Sequence, residues 1–344
     1  MVLYNKKGNS LDVNIRLARP EEAPQLIALL LKQHGLNYPN RKFYDEIFLR
    51  QALASGILRF AVAVLASDGT LAAMVGSDEE NEFPGCLIFN LLTVKIEFRG
   101  FSLGKKIHHY LLQEVLTGKY TCIYAHCLTL DTISQSNHAE FGYTMSGLLI
   151  NRYIYDVNAE NLKGLSLPLK RTHLMACYPL LKRDVLTLYP PTSHARYIAE
   201  LYKDLNVTYS LGEPGEPAVQ RSKVDISQNE MHRYGELFVQ EAGNDFEDVL
   251  SGYLDQYAHL EGQTFNAFVN LNDPGASYAC SALERKGFFF TGIHPLSGSG
   301  EYMILHYSPG LVVDFNKIMV IPEFTKRLRY IQNLYKEVHV VKKD

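Results

Sequence analysis

A hydrophobic strand, a short glycine-bearing loop and an amphipathic helix follow one another between Leu91 and Leu112. This succession constrains the chain more than any other feature. A glycine loop that runs into a helix presents unpaired backbone N–H groups and the positive end of the helix dipole. Such a place binds anions and suits a pyrophosphate. Gly100 and Gly104 serve a tight β–α turn without a ligand equally well, so the window alone leaves both interpretations open.

Two earlier segments have a recognisable pattern. Residues 13–31 predict a strand containing Ile15-Arg16-Leu-Ala18, followed by a helix that starts at Pro20-Glu21-Glu22. Residues 58–76 predict a β-hairpin with Asp68-Gly69 at its turn. Together they resemble the opening of the GNAT superfamily of acyl-CoA N-acyltransferases.

The strand–loop–helix window is similar to the acyl-CoA motif of that family. The motif is a strand ending in Leu-x-Val, with (Arg/Gln)-x-x-Gly-x-(Gly/Ala) beginning at the fifth residue after the valine. Leu92 and Val94 match the strand, and Arg99 and Gly104 match the two ends of the loop. Two positions depart from the motif. Ser102 stands where the middle glycine is expected, and Ile96 stands where a proline is common. The resemblance implies an acyl-CoA site formed by Leu92, Thr93, Val94, Arg99, Gly100, Phe101, Ser102, Leu103, Gly104 and Lys105.

The resemblance implies two domains with a mixed α/β sheet. The first, residues 1–158, would be the acyl-CoA-binding and catalytic GNAT domain, in which the fourth and fifth strands splay apart to admit pantetheine. Its helix after the loop places Ile107, Leu111 and Leu112 on one face.

The second domain, residues 159–344, is predicted to be a GNAT-like unit without the cofactor loop, which makes the chain a tandem. Gly142–Gly147 and Gly287–Gly292 share their glycine spacing, and each follows a predicted helix and precedes a strand. No counterpart of the loop occurs between Asn158 and Leu271. An unrelated α/β domain with a common helix–glycine–strand ending is the alternative.

Attack of an amine on a thioester needs a neutral amine, donors for the oxyanion and a proton for the departing thiolate. The resemblance implies that backbone N–H groups near Leu92–Val94 meet the oxyanion. It puts His138 where many members have the tyrosine that protonates the thiolate. A solvated histidine in a polar run is the other interpretation of His138.

The general base is less constrained. Many members have a glutamate in the fourth strand, but the neighbourhood Phe89-Asn90-Leu91 has no carboxylate. Asn90 could orient a water but cannot accept a proton at neutral pH. His126, at the end of the predicted fifth strand, is a candidate base or a strand-end histidine bonded to backbone. Tyr143 completes the candidate catalytic set, although core or rim packing also explains it.

Composition is that of an ordinary enzyme. The chain has 344 residues, 47% of them hydrophobic, and a formal net charge of −3, which argues against nucleic acid as a partner. No apolar run reaches the length of a membrane span, and no signal core follows Met1. The 5 cysteines are odd in number and contain no Cys-x-x-Cys pair. We therefore expect a cytoplasmic protein without a metal site or a disulfide scaffold.

The sequence thus predicts an N-acetyltransferase that transfers an acyl group from acetyl-CoA, or another acyl-CoA, directly to an amine in a ternary complex. The acceptor, a small-molecule or a protein amine, stays open, as does assembly into a homo-oligomer. A non-catalytic acyl-CoA sensor is the alternative from a different class. A structural tandem in which neither half binds CoA is the third.

Overall fold

The computed structural model describes residues 1–36, 38–80, 82–116, 118–154, 170–181 and 186–340. These residues form helices packed on mixed sheets, so the predicted mixed α/β class is confirmed. They divide into two compact units, Met1–Ala125 and a second unit made of His126–Ile154 with the chain from Lys170 onward. None of the described helices combines the length and the apolar character needed to cross a bilayer.

The first unit has six strands in sequential order and three helices. The strands are β1 (Val2–Tyr4), β2 (Ser10–Leu17), β3 (Arg59–Leu65), β4 (Leu71–Glu79), β5 (Cys86–Val94) and β6 (Cys122–Leu128), which ends in the second unit. The helices are α1 (Ala23–His34), α2 (Glu46–Ser55) and α3 (Leu103–Val115). Strands β1 to β5 pair antiparallel, and β6 joins β5 in parallel.

Apolar periodicity explains these elements. Strands β3 and β4 are almost wholly buried and joined through Asp68-Gly69, with Gly69 at φ +74°, as the predicted hairpin requires. Helix α3 buries Ile107, Leu111 and Leu112, so its predicted apolar face is confirmed. Burial of these side chains fixes the orientation of the helix start, where the candidate anion site lies.

The second unit contains the remaining elements. Its helices are α4 (Ile133–Glu140), α5 (Ala195–Asp204), α6 (Phe246–Tyr257), α7 (Ala276–Arg285) and α8 (Thr325–Val340). Its further strands are β7 (Thr144–Ile154), β8 (Lys170–Pro179), β9 (Leu186–Leu188), β10 (Tyr209–Leu211), β11 (Lys223–Asn229), β12 (Tyr234–Glu241), β13 (Thr264–Asn270), β14 (Phe289–Ser297) and β15 (Gly300–Tyr307). The order in the larger sheet is β8-β7-β14-β15-β13-β12-β11, and β9 pairs with β10 separately.

The predicted domain boundary, between 158 and 159, lies outside the described residues. Beyond it, β8 pairs antiparallel with β7 through the register Leu148–Leu174 and Thr144–Cys177. The two strands therefore form one hairpin that brackets the predicted boundary.

Two glycines from the predicted repeat meet in the second unit. Gly147 of β7 is the register partner of Gly292 of β14. A Cβ on Gly292 would lie 2.2 Å from Cα of Gly147, and Gly292 has φ +154°. Only glycine fits both the backbone conformation and this close approach. The pairing of β14 with β7 thus brings glycine opposite glycine.

We expect Gly292→Ala to lower the free energy of unfolding by roughly 2–3 kcal/mol, because the methyl group would overlap the backbone of β7. Urea denaturation of the full chain measures this change. Gly252→Ala is the control, since a Cβ there meets nothing within 4 Å and helix α6 gains from alanine. Equal stability of the two variants would contradict the close crossing.

Candidate functional site

Strand β5 carries a β-bulge in its second half. Thr93 pairs with Met74 and Asn90 pairs with Gly76, so Leu91 and Leu92 together oppose Val75. Leu91 has φ +55°, an unusual conformation for a leucine. A bulge takes backbone groups out of the ladder and re-aims them. It lies beside Leu92–Val94, the region predicted to meet the oxyanion.

The pairing of β5 with β6 is short. Cys86–Ile88 pair in parallel with Cys122–Tyr124, and the paired register ends there although β5 continues to Val94. The resemblance implies that the fourth and fifth strands of the family, which are β5 and β6 here, splay apart. The early end of their pairing agrees with that expectation. The same half of β5 contains the bulge.

The loop after β5 is anchored by two buried side chains. Phe101 and Leu103 are 8% and 1% exposed, whereas Ser102 and Lys105 are exposed. Gly100 has φ +89° and Ser102 has φ +59°, a left-handed conformation at the residue that precedes α3. The Ser102 side chain makes no capping hydrogen bond. The first backbone N–H groups of α3 therefore depend on solvent or a ligand at this end of the helix.

Gly104 brings the start of α3 close to the end of β5. A Cβ at Gly104 would lie 3.6 Å from Val94 Cγ2 and 3.7 Å from Leu92 Cδ1, which is ordinary van der Waals contact. A larger side chain is therefore sterically tolerated at its base.

A cavity of about 280 Å³ adjoins the loop within the first unit. Three of the predicted cofactor residues, Thr93, Val94 and Arg99, line it. Lys32 and Lys95 add positive charge to its wall. The Arg99 Nε–H donates to the Val94 carbonyl oxygen over 3.4 Å, which holds the guanidinium near the strand end. The charge suits an anionic ligand.

Two polar atoms on β5 have no hydrogen-bond partner among the described residues. They are Oδ1 of Asn90 and Oγ1 of Thr93, and both are buried. Buried polar atoms in native proteins are normally hydrogen-bonded, so these two mark a place for water or a ligand. They lie on either side of the bulge. Asn90 was not among the predicted cofactor residues, because the bulge that frames it has no local signature in the sequence.

Asp78 on β4 is a second residue that the sequence did not single out. Among the described residues of the first unit it is the one acidic side chain that is buried, and it forms an ion pair with Lys42. The available signal was the polar pair Ser77-Asp78 at the end of an otherwise apolar strand. Glu97, by contrast, is half-exposed, with Oε1 3.8 Å from Lys32 Nζ.

The structure brings His138 and Tyr143 together in the second unit. Their ring centroids are 4.9 Å apart in an edge-to-face arrangement. His138 is 5% exposed, so it is not the solvated histidine of the alternative interpretation. Its Nδ1–H donates to the Ser134 carbonyl oxygen over 2.8 Å, and burial lowers its pKa. The ring is therefore neutral at pH 7, with Nε2 as its basic nitrogen.

His126 lies on the other face of β6. The His138 Nδ1 is 3.5 Å from Cys127 Sγ, and consecutive residues of a strand point to opposite faces. His126 accordingly faces a different group, with its ring 6.5 Å from that of His173. Burial, with the positive charge of Arg152 and the neighbouring His173, lowers the pKa of His126 well below its usual value. The predicted catalytic residues thus form two groups, not one.

Cys127 is not an activated nucleophile. Burial raises the pKa of its thiol to about 12, and Ser134 Oγ is 3.4 Å from its sulfur. Only the thiolate attacks efficiently, and at neutral pH almost none forms. The described residues contain no group of three or more His, Cys, Asp or Glu side chains placed to hold a metal ion.

The second unit also contains a strand, β12, that leads through a turn into a helix, α6. Strands β12 and β13 pair in parallel without interruption from Tyr234–Thr264 to Val239–Val269. In the turn between β12 and α6, the N–H of Ala242 donates to Asp273 and the N–H of Gly243 donates to Ser222 Oγ. Asp245 in turn accepts from Ser222. Side chains of the protein therefore already accept hydrogen bonds from the backbone N–H groups of this turn, which a phosphate would need as donors.

No protein-family model and no curated protein matches the chain. Solved acetyltransferase structures do match. The ribosomal-protein-S5-alanine acetyltransferase from Vibrio fischeri is 12% identical, with TM-score 0.39, over 48% of this chain and 92% of its own. A mutant spermidine N-acetyltransferase from Vibrio cholerae is 15% identical, with TM-score 0.40, over 49% and 94%. A putative acetyltransferase from Salmonella typhimurium, solved with acetyl-CoA, is 13% identical, with TM-score 0.40, over 50% and 96%.

We expect Ser102→Gly to raise the free energy of unfolding by roughly 0.5–1 kcal/mol, because glycine adopts the left-handed conformation without strain. Urea denaturation measures the gain. Ser102→Ala is the matched control and should give no gain, since it keeps the Cβ and the lost hydroxyl makes no cap. A gain in both variants would rule out backbone strain as the cause.

Proposed function

We propose that the chain is an acyl-CoA-dependent N-acetyltransferase whose cofactor site lies in the first unit. The observation that carries the proposal is the course of β5. The strand bulges at Leu91, ends its pairing with β6 early, and runs through a glycine-bearing loop into the start of α3. An extended ligand with an anionic end requires these features together: a gap beside a strand and an anion site at its end.

The path of the backbone from β5 through the loop to α3 suggests a role for each group along it. Backbone N–H groups from Gly100 to Lys105 would bind the pyrophosphate, with Arg99 supplying charge. Backbone N–H groups released by the bulge near Leu92–Val94 would polarise the thioester carbonyl and stabilise the oxyanion. Preorganised donors of this kind act in the transition state without reorganisation, which accounts for their large effect on rate.

The acyl group would pass directly to the amine. The amine attacks the thioester carbon, the C–S bond breaks, and the amine's proton finally reaches the CoA sulfur. Cys127 offers no thiolate for a covalent intermediate, which supports a ternary complex. His138, with Tyr143 packed against its ring, stays the proposed donor of the thiolate's proton. His126 stays a proposed base on the other face of β6.

The second half would be a degenerate repeat of the first. Strands β5 and β6 pair in parallel around α3, and after α4 come the hairpin strands β7 and β8. Strands β12 and β13 pair in parallel around α6, and after α7 come the hairpin strands β14 and β15. The order of elements is the same in both. Two features support a second repeat that binds no CoA. Strands β12 and β13 pair without interruption, and Asp245 and Asp273 accept hydrogen bonds in the turn after β12.

One observation favours the sensor alternative. Asn90 stands on β5 where a carboxylate is expected for proton removal, so the cofactor site has no base on that strand. A chain of this kind would bind acetyl-CoA and release no free CoA in the presence of amines. Turnover with a panel of polyamines, amino acids and lysine peptides, followed as free thiol, separates the two functions.

We expect Gly104→Glu to weaken acetyl-CoA binding by at least about 100-fold, or roughly 2.7 kcal/mol, while the fold is retained. The carboxylate would repel the pyrophosphate and oppose the helix dipole, whereas the Cβ makes only ordinary contacts. Calorimetric titration with acetyl-CoA measures the affinity, and ATP serves as the ligand that lacks the thioester arm.

Gly252→Glu is the matched control because it adds the same charge at an open position of α6. It should bind acetyl-CoA like the wild type. Equal affinity of Gly104→Glu and the wild type would refute the loop assignment. No binding of acetyl-CoA to the wild type would refute the proposed function.

We expect His138→Phe to lower kcat by roughly 100-fold with little change in KM, because the ring would act in proton transfer and not in binding. Steady-state kinetics with an accepted amine measure both constants. His259→Phe, at an exposed histidine, is the control and should behave as the wild type. An unchanged kcat in His138→Phe would make His138 a packing residue.

A further inference from the structure

Cys86 and Cys122 form a buried pair of thiols in the first unit. Their sulfur atoms are 3.1 Å apart, and the residues are 1% and 0% exposed. They are direct register partners in the parallel pairing of β5 with β6. Adjacent strands lie about 4.8 Å apart, which is within the range of backbone separations that a disulfide spans. The remaining cysteines, Cys127, Cys177 and Cys280, are also buried and form no disulfide.

The position of the pair is as informative as its geometry. Cys86 is the first residue of β5 and Cys122 is the first residue of β6. The chain between them contains β5, the glycine-bearing loop and α3. The two sulfurs therefore face each other at the two ends of the segment that carries the candidate cofactor loop, where the short strand pairing begins.

We propose that Cys86 and Cys122 are a modification site, at which a peroxide converts the two thiols to an intrachain disulfide that closes the β5–α3–β6 segment. Hydrogen peroxide oxidises one thiol to a sulfenic acid and is itself reduced to water. The second sulfur attacks the sulfenic sulfur and displaces hydroxide. That hydroxide leaves with the second thiol's proton as another water, so two thiols and one peroxide give one disulfide and two waters.

The reaction should be slow. Contact with Cys122 and burial raise the pKa of the Cys86 thiol, so little thiolate is present. Oxidation depends on local opening of the start of β5. Formation of the bond then needs an approach of about 1 Å, from the observed contact to the bonded distance.

The disulfide should stabilise the segment without blocking its site. It closes a loop of 36 residues, which in the chain-entropy account raises the Tm by roughly 5 °C. Cys86 is separated from Val94 by roughly 26 Å along an extended strand, so the loop that would bind acetyl-CoA is remote from the new bond. We expect the affinity for acetyl-CoA to change by no more than about twofold, or roughly 0.4 kcal/mol.

The test is peroxide treatment of the full chain, followed by peptide mass spectrometry without reductant. The expected product is a linked pair of peptides containing Cys86 and Cys122, with a loss of about 2 Da and a higher Tm that dithiothreitol reverses. The link and the Tm shift should vanish in Cys86→Ala and in Cys122→Ala. Both should persist in Cys177→Ala, the control at another buried cysteine.

Two results would overturn the proposal. One is sulfinic acid at Cys86 or Cys122 without a linked peptide. The other is recovery of both thiols unmodified under conditions that oxidise every cysteine of the urea-unfolded chain. The linkage is detected without acetyl-CoA, so its failure is distinct from failure of the proposed function.

Discussion

The candidate cofactor site depends on one constraint. Strand β5 pairs along its length with only one of its two neighbours. It follows β4 along its length, but only by inserting a bulge at Leu91. It leaves β6 after Ile88. Backbone groups that leave a ladder need other partners, and the buried Oδ1 of Asn90 and Oγ1 of Thr93 have the same need. The second half of β5 is therefore completed by water or by a ligand.

The loop beyond β5 is shaped by the same requirement. Phe101 and Leu103 are anchored in the core, which forces the residues between and after them outward. Ser102 accepts a left-handed conformation in that position, where glycine would be unstrained. The chain thus keeps a strained serine at a helix start that has no side-chain cap. Strain held at one place of this kind is a common property of binding sites.

The turns after β5 and after β12 differ in their electrostatics. Lys32, Lys95 and Arg99 surround the cavity at the end of β5. At the end of β12, Asp245 and Asp273 supply acceptors to the turn. Phosphate groups need unoccupied donors and positive charge, so the turn after β5 suits them better than the turn after β12. Uninterrupted pairing of β12 with β13 removes the gap as well.

The sequence by itself determined what depends on near neighbours in the chain. The apolar face of α3, the Asp68-Gly69 hairpin and the loop between Val94 and Leu103 follow from periodicity and turn chemistry. Only the tertiary structure decided the features that depend on strand register and on the face of the sheet to which a side chain points. It put His126 on the face of β6 opposite to the one that His138 contacts, paired Gly147 with Gly292 and brought Cys86 next to Cys122. A shift of one residue in register moves every side chain to the other face, and no local pattern contains that information.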